Sequence, residues 1–176
     1  MNENKLLFGG CVYIHDSGDH TITIKEISPY GIQKHQTYVF DEKGRLIQNI
    51  CNDKIVLYEY ESTSDRLIRE IYRSNPYDHL IAEVNYTYDD NSVTKIFKDK
   101  INTKIQKTDN ELNIIYEETI YNDGGKYICE NQFNEDGIMI KTECSYFMNN
   151  NLINKTVKIC DDNGHLVEMT RVDKNV

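Results

Sequence analysis

Short runs in which apolar and polar side chains alternate recur along the chain, separated by clusters of Asp, Asn, Ser and Gly. In the clearest run, Tyr38 and Phe40 alternate with Val39, which is the two-residue period of a β-strand. Leu46 and Ile47 begin the next apolar run after a short polar segment. This pattern predicts two antiparallel strands that are joined by a tight turn.

The polar segment of this hairpin has the residues of a type I turn that ends in a left-handed glycine. Asp41 stands at the first position, where its side chain can accept hydrogen bonds from the following backbone, and Gly44 stands at the last. A hairpin loop of this kind places Asp41 opposite Arg45 and Phe40 opposite Leu46. We also predict a positive φ at Gly44, because glycine adopts it without the steric cost of a Cβ.

Weaker copies of this hairpin follow, and the residue before each predicted turn marks them: His15, Phe40, Tyr60, Tyr88, Lys107, Phe133 and Cys160. The unit is about 24 residues long, which accommodates two strands and two turns. Residues 111–121 are numerous enough for a helix, but their β-branched and aromatic side chains favour a strand. The sequence therefore predicts an all-β fold, an antiparallel meander of about seven tandem β-hairpins that forms a twisted, curled or two-layered sheet.

The predicted turns differ in the residue that takes the place of Gly44. Gly164 takes it in the last hairpin, and we expect a positive φ there as well. Asp65 stands at this place in the second hairpin and Ser92 in the third. Because Ser adopts the left-handed region poorly, the turn at residues 89–92 should differ in type.

Only one predicted connection is long and irregular, at residues 73–78, and the first predicted turn lies at residues 16–19. We expect residues 1–10 to be a loose lead-in. Residues 11–176 should form a single domain of hairpin repeats, since their number is ordinary for one domain.

The composition agrees with a β-rich protein and limits its partners. There are 13 Tyr, no Trp and 2 Pro, and the formal net charge is -9. A charge of this sign argues against binding to nucleic acid or an anionic membrane, both of which need an excess of Lys and Arg. It permits a basic protein as partner, although such a charge also keeps a β-rich surface soluble.

The cysteines, Cys11, Cys51, Cys129, Cys144 and Cys160, are odd in number and form no CxxC pair. We therefore expect neither a disulfide framework nor a zinc site. The apolar run before Cys11 is far shorter than the core of a signal peptide, so we expect a cytoplasmic, reduced chain. A reading frame that began upstream with a signal peptide would instead favour the cell surface or secretion.

Two features are candidates for binding a partner. Acidic turn residues would line one edge of a regular meander: Asp16, Asp41, Glu42, Asp65, Asp89, Asp90, Asp109, Glu135, Asp136, Asp161 and Asp162. Neighbouring hairpins would also present an aromatic stripe: Tyr58, Tyr60, Tyr72, Tyr86 and Tyr88. Each feature has a structural explanation too, because Asp favours turns and tyrosines pack across strands. The candidate partner-binding residues are Asp41, Glu42, Tyr58, Tyr60, Tyr86, Tyr88, Asp89, Asp90, Asp161 and Asp162.

The sequence contains no P-loop, GxSxG, HExxH or GxGxxG motif, and its five histidines lack the spacing of metal ligands. We therefore expect no catalytic activity, no cofactor and no metal. A deep polar pocket in which histidines and carboxylates converge would support an enzyme instead.

The pattern Tyr-x-Tyr/Phe-Asp-x-x-Gly-Arg-Leu resembles the YD repeat of Rhs-type proteins. The segments that carry the resemblance are residues 38–47, 58–68, 86–89 and 158–167. The dipeptide Tyr-Asp itself occurs within them only at Tyr88 and Asp89. The resemblance implies a scaffold of β-hairpins with a non-enzymatic role, and it supplies no catalytic residue.

Two hypotheses about function follow. The first is a cytoplasmic protein-binding module, and its most specific form is an immunity-type protein that neutralises a basic toxin. The alternative is a surface or secreted carbohydrate-binding repeat protein that uses exposed tyrosines as stacking platforms. The sequence alone leaves the oligomeric state open.

Overall fold

The computed structural model describes residues 2–8, 11–28 and 31–174, and β-strands account for most of them. The described strands, numbered in chain order, are β1 (Asn2–Phe8), β2 (Cys11–Gly18), β3 (Thr21–Ser28), β4 (Gly31–Phe40), β5 (Leu46–Cys51), β6 (Lys54–Tyr60), β7 (Leu67–Ser74), β8 (Leu80–Asp89), β9 (Ser92–Asp99), β10 (Asn102–Asp109), β11 (Ile114–Tyr121), β12 (Gly125–Phe133), β13 (Met139–Met148), β14 (Asn151–Cys160) and β15 (Leu166–Asp173).

Strand order in the sheet follows chain order from β1 to β15, so each strand from β2 to β14 pairs with the strands before and after it in sequence. The predicted all-β fold, an antiparallel meander of about seven hairpins, is confirmed. The described residues contain no helix, and hence none long and apolar enough to cross a membrane.

The chain divides into two compact units, Met1–Glu83 and Val84–Val176, where the sequence predicted one domain over residues 11–176. The boundary lies within β8. Residues 2–8 of the predicted loose lead-in form a strand instead. This strand, β1, pairs with β2 along its whole length, from Asn2 opposite Ser17 to Phe8 opposite Cys11. Residues 1, 9 and 10 of that lead-in lie outside the described residues.

The hairpin at residues 38–47 has the predicted register. Phe40 lies opposite Leu46, with a bulge between Val39 and Phe40. The Asp41 amide donates to the Arg45 carbonyl at 2.9 Å, and the Gly44 amide donates to the Asp41 carbonyl at 2.9 Å. Gly44 has a φ of 78°, and Gly164 has a φ of 82° in the last hairpin, so both glycine predictions are confirmed.

Three other turns depart from this geometry. The first turn is at residues 19 and 20 instead of 16–19, because β2 continues to Gly18, which pairs with Thr21. The second hairpin has a loop that is one residue longer, closed by the Glu61 amide on the Arg66 carbonyl at 2.9 Å. In the third, only residues 90 and 91 form the turn, and Ser92 is buried at the start of β9. Its different type was predicted.

Buried apolar side chains in the described part of the chain are few. They are Val56, Ile71 and Ala82 in the first unit, and Val84 in the second. Val56 lies opposite Tyr72 and Leu57 opposite Ile71, so Val56 and Ile71 are on opposite faces of the sheet. Burial in the first unit is therefore shared between both faces, and most side chains are half-buried against their cross-strand neighbours.

Cys129 and Cys144 form a disulfide bond, which the sequence analysis did not expect. They lie directly opposite each other in β12 and β13, so the register of this hairpin brings them together. The odd number of cysteines was a poor guide, because it says nothing about which residues a hairpin places opposite each other. Among the described side chains, Cys51 and Cys160 are free and half-buried.

Candidate functional site

One five-residue turn occurs four times, once in the first unit, at residues 41–45, and three times on one edge of the second unit, at residues 109–113, 134–138 and 161–165. In each, the amide of the first residue donates to the carbonyl of the fifth, at 2.9–3.0 Å, and the amide of the fourth donates to the carbonyl of the first, at 2.9–3.2 Å. A side-chain oxygen of the first residue, Asp or Asn, also accepts from the amides of the third and fifth residues at 2.9–3.1 Å. The side chain at the first position therefore builds the turn.

The candidate residues Asp41 and Asp161 occupy this first position. The backbone amide of Arg45 lowers the pKa of Asp41, and the backbone amide of His165 lowers the pKa of Asp161. Arg45 also donates from Nε to Oδ2 of Asp41 at 2.8 Å, as the predicted charge pair requires. These two carboxylates hold their turns, so they are less available to a partner than exposed acids are.

The second and third positions of the turns carry the exposed acids. Glu42 and Asp162 are exposed at the second position. In the second unit, the turns that follow β8, β10, β12 and β14 present six exposed acidic residues, which we call the acidic edge: Asp89, Asp90, Glu111, Glu135, Asp136 and Asp162.

The geometry of a meander sets the spacing of this acidic edge. Alternate turns lie on the same edge, two strands apart, which corresponds to about 10 Å between neighbouring turns. Four turns therefore span about 30 Å. Lys107 lies 3.9 Å from Asp89 in a loose ion pair. Of the other acids predicted for the edge, Asp109 builds its turn, Asp65 lies in the first unit 3.4 Å from Arg45, and the side chain of Asp16 lies outside the described residues.

Neighbouring turns of the acidic edge are tied to each other. Nδ2 of Asn110 donates to the carbonyl of Asp90 at 3.4 Å, and Nδ2 of Asn134 donates to the carbonyl of Asp162 at 3.2 Å. These bonds connect turns that are separated by two strands. They fix the positions of the backbones that carry the exposed carboxylates.

The opposite edge of the second unit carries little free charge. Its three turns lie at residues 100–101, 122–124 and 149–150. Oδ1 of Asp99 accepts the amides of Ile101 and Asn102 at 2.7 and 2.8 Å, and Oδ1 of Asp123 accepts the amide of Gly125 at 2.9 Å. Both acids near these turns therefore stabilise the backbone, and the cation Lys100 accompanies them.

The stripe tyrosines of the first unit, Tyr58, Tyr60 and Tyr72, are half-buried parts of the sheet. Burial raises the pKa of Tyr58, and Tyr60 donates its hydroxyl to the carbonyl of Leu46 at 2.9 Å. The Arg45 guanidinium lies over the Tyr60 ring, 4.7 Å from its centroid. Tyr72 donates to the carboxylate of Glu70. The structure brings Tyr58 and Tyr60 together on β6, but it covers much of their surface.

The stripe tyrosines of the second unit are half-buried as well. Tyr86 and Tyr88 are half-buried and lie on one face of β8, where Nζ of Lys95 is 5.6 Å from the centroid of the Tyr86 ring. On β11, burial raises the pKa of Tyr116 to about 12, and its hydroxyl donates to Glu118 at 2.9 Å. Cross-strand packing, one of the two explanations of the stripe, accounts for these positions.

A shallow depression on a sheet face of the second unit has a volume of about 220 Å³ and is lined by Lys95, Phe97, Lys104 and Gln106. Lys104 is held by Glu117 at 2.8 Å. This depression is not predictable from the sequence, because only the strand register places its residues together. Among the described residues no three His, Cys, Asp or Glu side chains are grouped so that they could hold a metal ion.

The fold and the site define an antiparallel β-meander with an acidic edge. No family model matches this chain, and no curated protein matches it. Among solved structures, a porin-like protein from Bacteroides uniformis matches with 11% sequence identity and a TM-score of 0.44, covering 96% of this chain and 79% of that one.

Proposed function

We propose that this chain is a non-enzymatic protein-binding module and that its acidic edge binds a basic protein. The observation that supports this most is the contrast between the two edges of the second unit. One edge has six exposed carboxylates over about 30 Å, whereas the turns of the other have two acids, Asp99 and Asp123, and each of them accepts a backbone amide.

A row of carboxylates on fixed turns suits a basic partner for two physical reasons. The backbone hydrogen bonds of each turn limit the freedom that the carboxylates would lose on binding. The net charge of -9 would also attract a cation from a distance, and this steering weakens as salt is added. A partner with Lys or Arg side chains spaced at about 10 Å would match the turns.

The most specific form of the proposal is an immunity-type protein that neutralises a basic toxin. It draws on the resemblance of residues 38–47 and 158–167 to YD repeats, which occur in toxin-associated scaffolds, and on the acidic charge. Under this proposal the chain acts by occupying a basic surface of the toxin, and it needs no catalytic residue of its own.

The experiment is a pull-down from the native host at low salt, followed by elution with salt. Glu135→Gln, Asp136→Asn and Asp162→Asn are combined in the test variant. The control variant, Asp123→Asn, Glu130→Gln and Glu168→Gln, changes the net charge equally but away from the acidic edge.

We expect wild type and the control variant to retain a basic protein that salt elutes. The test variant should retain at least tenfold less of this protein. No partner at any ionic strength, or equal losses in both variants, would contradict the proposal. Retention of glycans on an array, abolished by Tyr58→Ala or Tyr86→Ala, would favour the carbohydrate-binding alternative instead.

A further inference from the structure

Strand β15 is an edge strand, the last in the order of the sheet, and its side chains are open to solvent. It pairs with β14 on one side and has no other partner among the described residues. Its residues are all exposed, and Leu166, Val167, Met169 and Val172 are each more than half exposed. It contains neither Pro nor Gly. A long apolar edge of this kind leaves unpaired amides and carbonyls that favour the addition of another strand.

Symmetry limits how β15 could pair with its own copy. Two antiparallel edge strands in one continuous sheet are related by a two-fold axis perpendicular to the sheet, and this axis keeps each residue on the same face. Residues that lie opposite each other must point to one face. Side chains alternate between the faces along a strand, so two opposite residues have numbers that are both odd or both even. One residue of β15 then lies opposite the same residue of the second copy.

Comparison of the central registers favours one of them. With Glu168 at the centre, two carboxylates face each other, which is destabilising. With Thr170 at the centre, Leu166 faces Lys174 and Val167 faces Asp173, so both apolar side chains meet charges.

With Met169 at the centre, Met169 faces itself and Leu166 faces Val172 twice, which are apolar cross-strand pairs. Val167 faces Arg171, so this register brings one type of apolar side chain opposite a charge, whereas the Thr170 register does so for both Leu166 and Val167. His165 then faces Asp173 in the same register, and Lys174 faces Gly164, beside the acidic turn at residues 161–165. The Met169 register therefore has the most apolar pairs of the three, and its ends bring side chains of opposite charge type together.

We propose that β15 pairs antiparallel with β15 of a second copy of this chain, with Met169 on the two-fold axis. The antiparallel arrangement directs the acidic edges of the two copies to opposite ends of the paired strands. Repulsion between the edges is reduced by this separation, and both edges stay accessible to other proteins. The proposal does not depend on the proposed function.

Cysteine cross-linking tests the register directly. In the proposed dimer, Met169→Cys places two thiols opposite each other, within the Cα separation that a disulfide needs. The matched control is Thr170→Cys, whose two copies would be diagonal neighbours at about 7–8 Å, too far apart for that bond. Wild type, with its native cysteines, gives the background, and peptide mass analysis identifies the 169–169 link. Both substituted side chains are exposed, so the fold should be retained, as circular dichroism would check.

We expect a covalent dimer of Met169→Cys under mild oxidation, and none above background for Thr170→Cys. Sedimentation should show a concentration-dependent dimer of wild type that Met169→Lys removes by placing two cations opposite each other. A wild type that stays monomeric at all concentrations, equal cross-linking of both cysteine variants, or an open series of oligomers would overturn the proposal.

Discussion

The turns at the two edges of the second unit connect the same strands. They differ in how many acidic side chains remain free of the hydrogen bonds that form the turn. In the five-residue turns of the acidic edge, the backbone geometry determines the first and fourth residues. The side chains of the second and third residues make no bond that the turn requires, and Glu111, Glu135, Asp136 and Asp162 stand there. In the shorter turns of the opposite edge, the acids themselves accept the backbone amides. The charge available to a partner is thus the charge that turn formation does not use.

The largest expected effect is a loss of unfolding free energy when a turn glycine is replaced by alanine, and it should differ between the two edges. Gly124, on the opposite edge, has a φ of 89°, and Gly137, on the acidic edge, has a φ of 73°. A Cβ on Gly137 would meet nothing within 4 Å, whereas one on Gly124 would collide with Oδ1 of Asn149. Gly137→Ala should cost about 1–2 kcal/mol of unfolding free energy through the backbone alone. Gly124→Ala should cost about 1 kcal/mol more, as measured by urea denaturation.

A double-variant cycle separates the two causes. In an Asn149→Gly background, Gly124→Ala should cost no more than Gly137→Ala does, because the collision is removed. If the two alanine variants lose equal stability in the wild-type background, contact between neighbouring turns does not distinguish the edges.

The next prediction compares the first residue of one acidic turn, which forms the hydrogen bonds of the turn, with the second residue, which does not. Oδ1 of Asn134 accepts two backbone amides, and its Nδ2 donates to the next turn. Asn134→Ala should therefore destabilise the protein by about 1–2 kcal/mol. Glu135→Ala, one residue later, should change the stability by less than about 0.5 kcal/mol. Thermal unfolding of both variants is the measurement, and similar losses would mean that the second position also builds the turn.

A substitution at the fourth position of an acidic turn should stabilise the protein. Leu112 takes the place of glycine in the turn at residues 109–113, with a φ of 68°, and it is 81% exposed. Leu112→Gly should relieve the backbone strain and raise the unfolding free energy by about 1 kcal/mol. The control Leu112→Ala keeps the strain and should give no such gain. A loss of stability in Leu112→Gly would indicate that the leucine side chain makes a contact that outweighs the strain.

The smallest effect is a dependence on pH. Because backbone amides lower the pKa of Asp41 and Asp161 in the folded state, the ionised forms stabilise it. This contribution is complete above the ordinary carboxyl pKa near about 4 and is lost as the pH falls through the lower folded pKa. Asp161→Asn keeps an acceptor oxygen, as Asn134 does, but cannot titrate. The urea midpoint should fall less between pH 7 and pH 3 for Asp161→Asn than for wild type. An unchanged difference would contradict the role of this carboxylate.

The hairpins could be predicted because their information is local. Asp41 and Gly44 define a turn within four residues, and the register of Phe40 and Leu46 follows from it. The first turn was misplaced because Asp, Ser and Gly at residues 16–18 are turn-forming types that here continue a strand. Residues 2–8 form a strand only through pairing with β2, which local patterns do not reveal.

The candidate site was predictable in its location but less so in its details. Five of the predicted acids, Asp89, Asp90, Glu135, Asp136 and Asp162, lie at turns on one edge of the second unit, because a meander alternates its turns, whereas Asp16 lies within β2. Which acids are free depends on side-chain bonds, such as those of Asp161, that residue type alone does not specify. The disulfide could have been found by applying the bulged register of the first hairpin to residues 134–138, which places Cys129 opposite Cys144.

The most direct test of the acidic edge moves its charge without changing the total. Glu135→Gln, Asp136→Asn and Asp162→Asn remove three negative charges from this edge. Asn149→Asp, Asn150→Asp and Lys100→Gln restore the net charge at the opposite edge, where Asp tolerates the positive φ of residues 149 and 150.

Calorimetric titration of this variant with the basic protein captured at low salt is the decisive measurement. We predict that its affinity falls at least tenfold, or by about 1.4 kcal/mol, while the net charge stays at -9. An affinity equal to that of wild type would show that total charge, and not the acidic edge, determines binding.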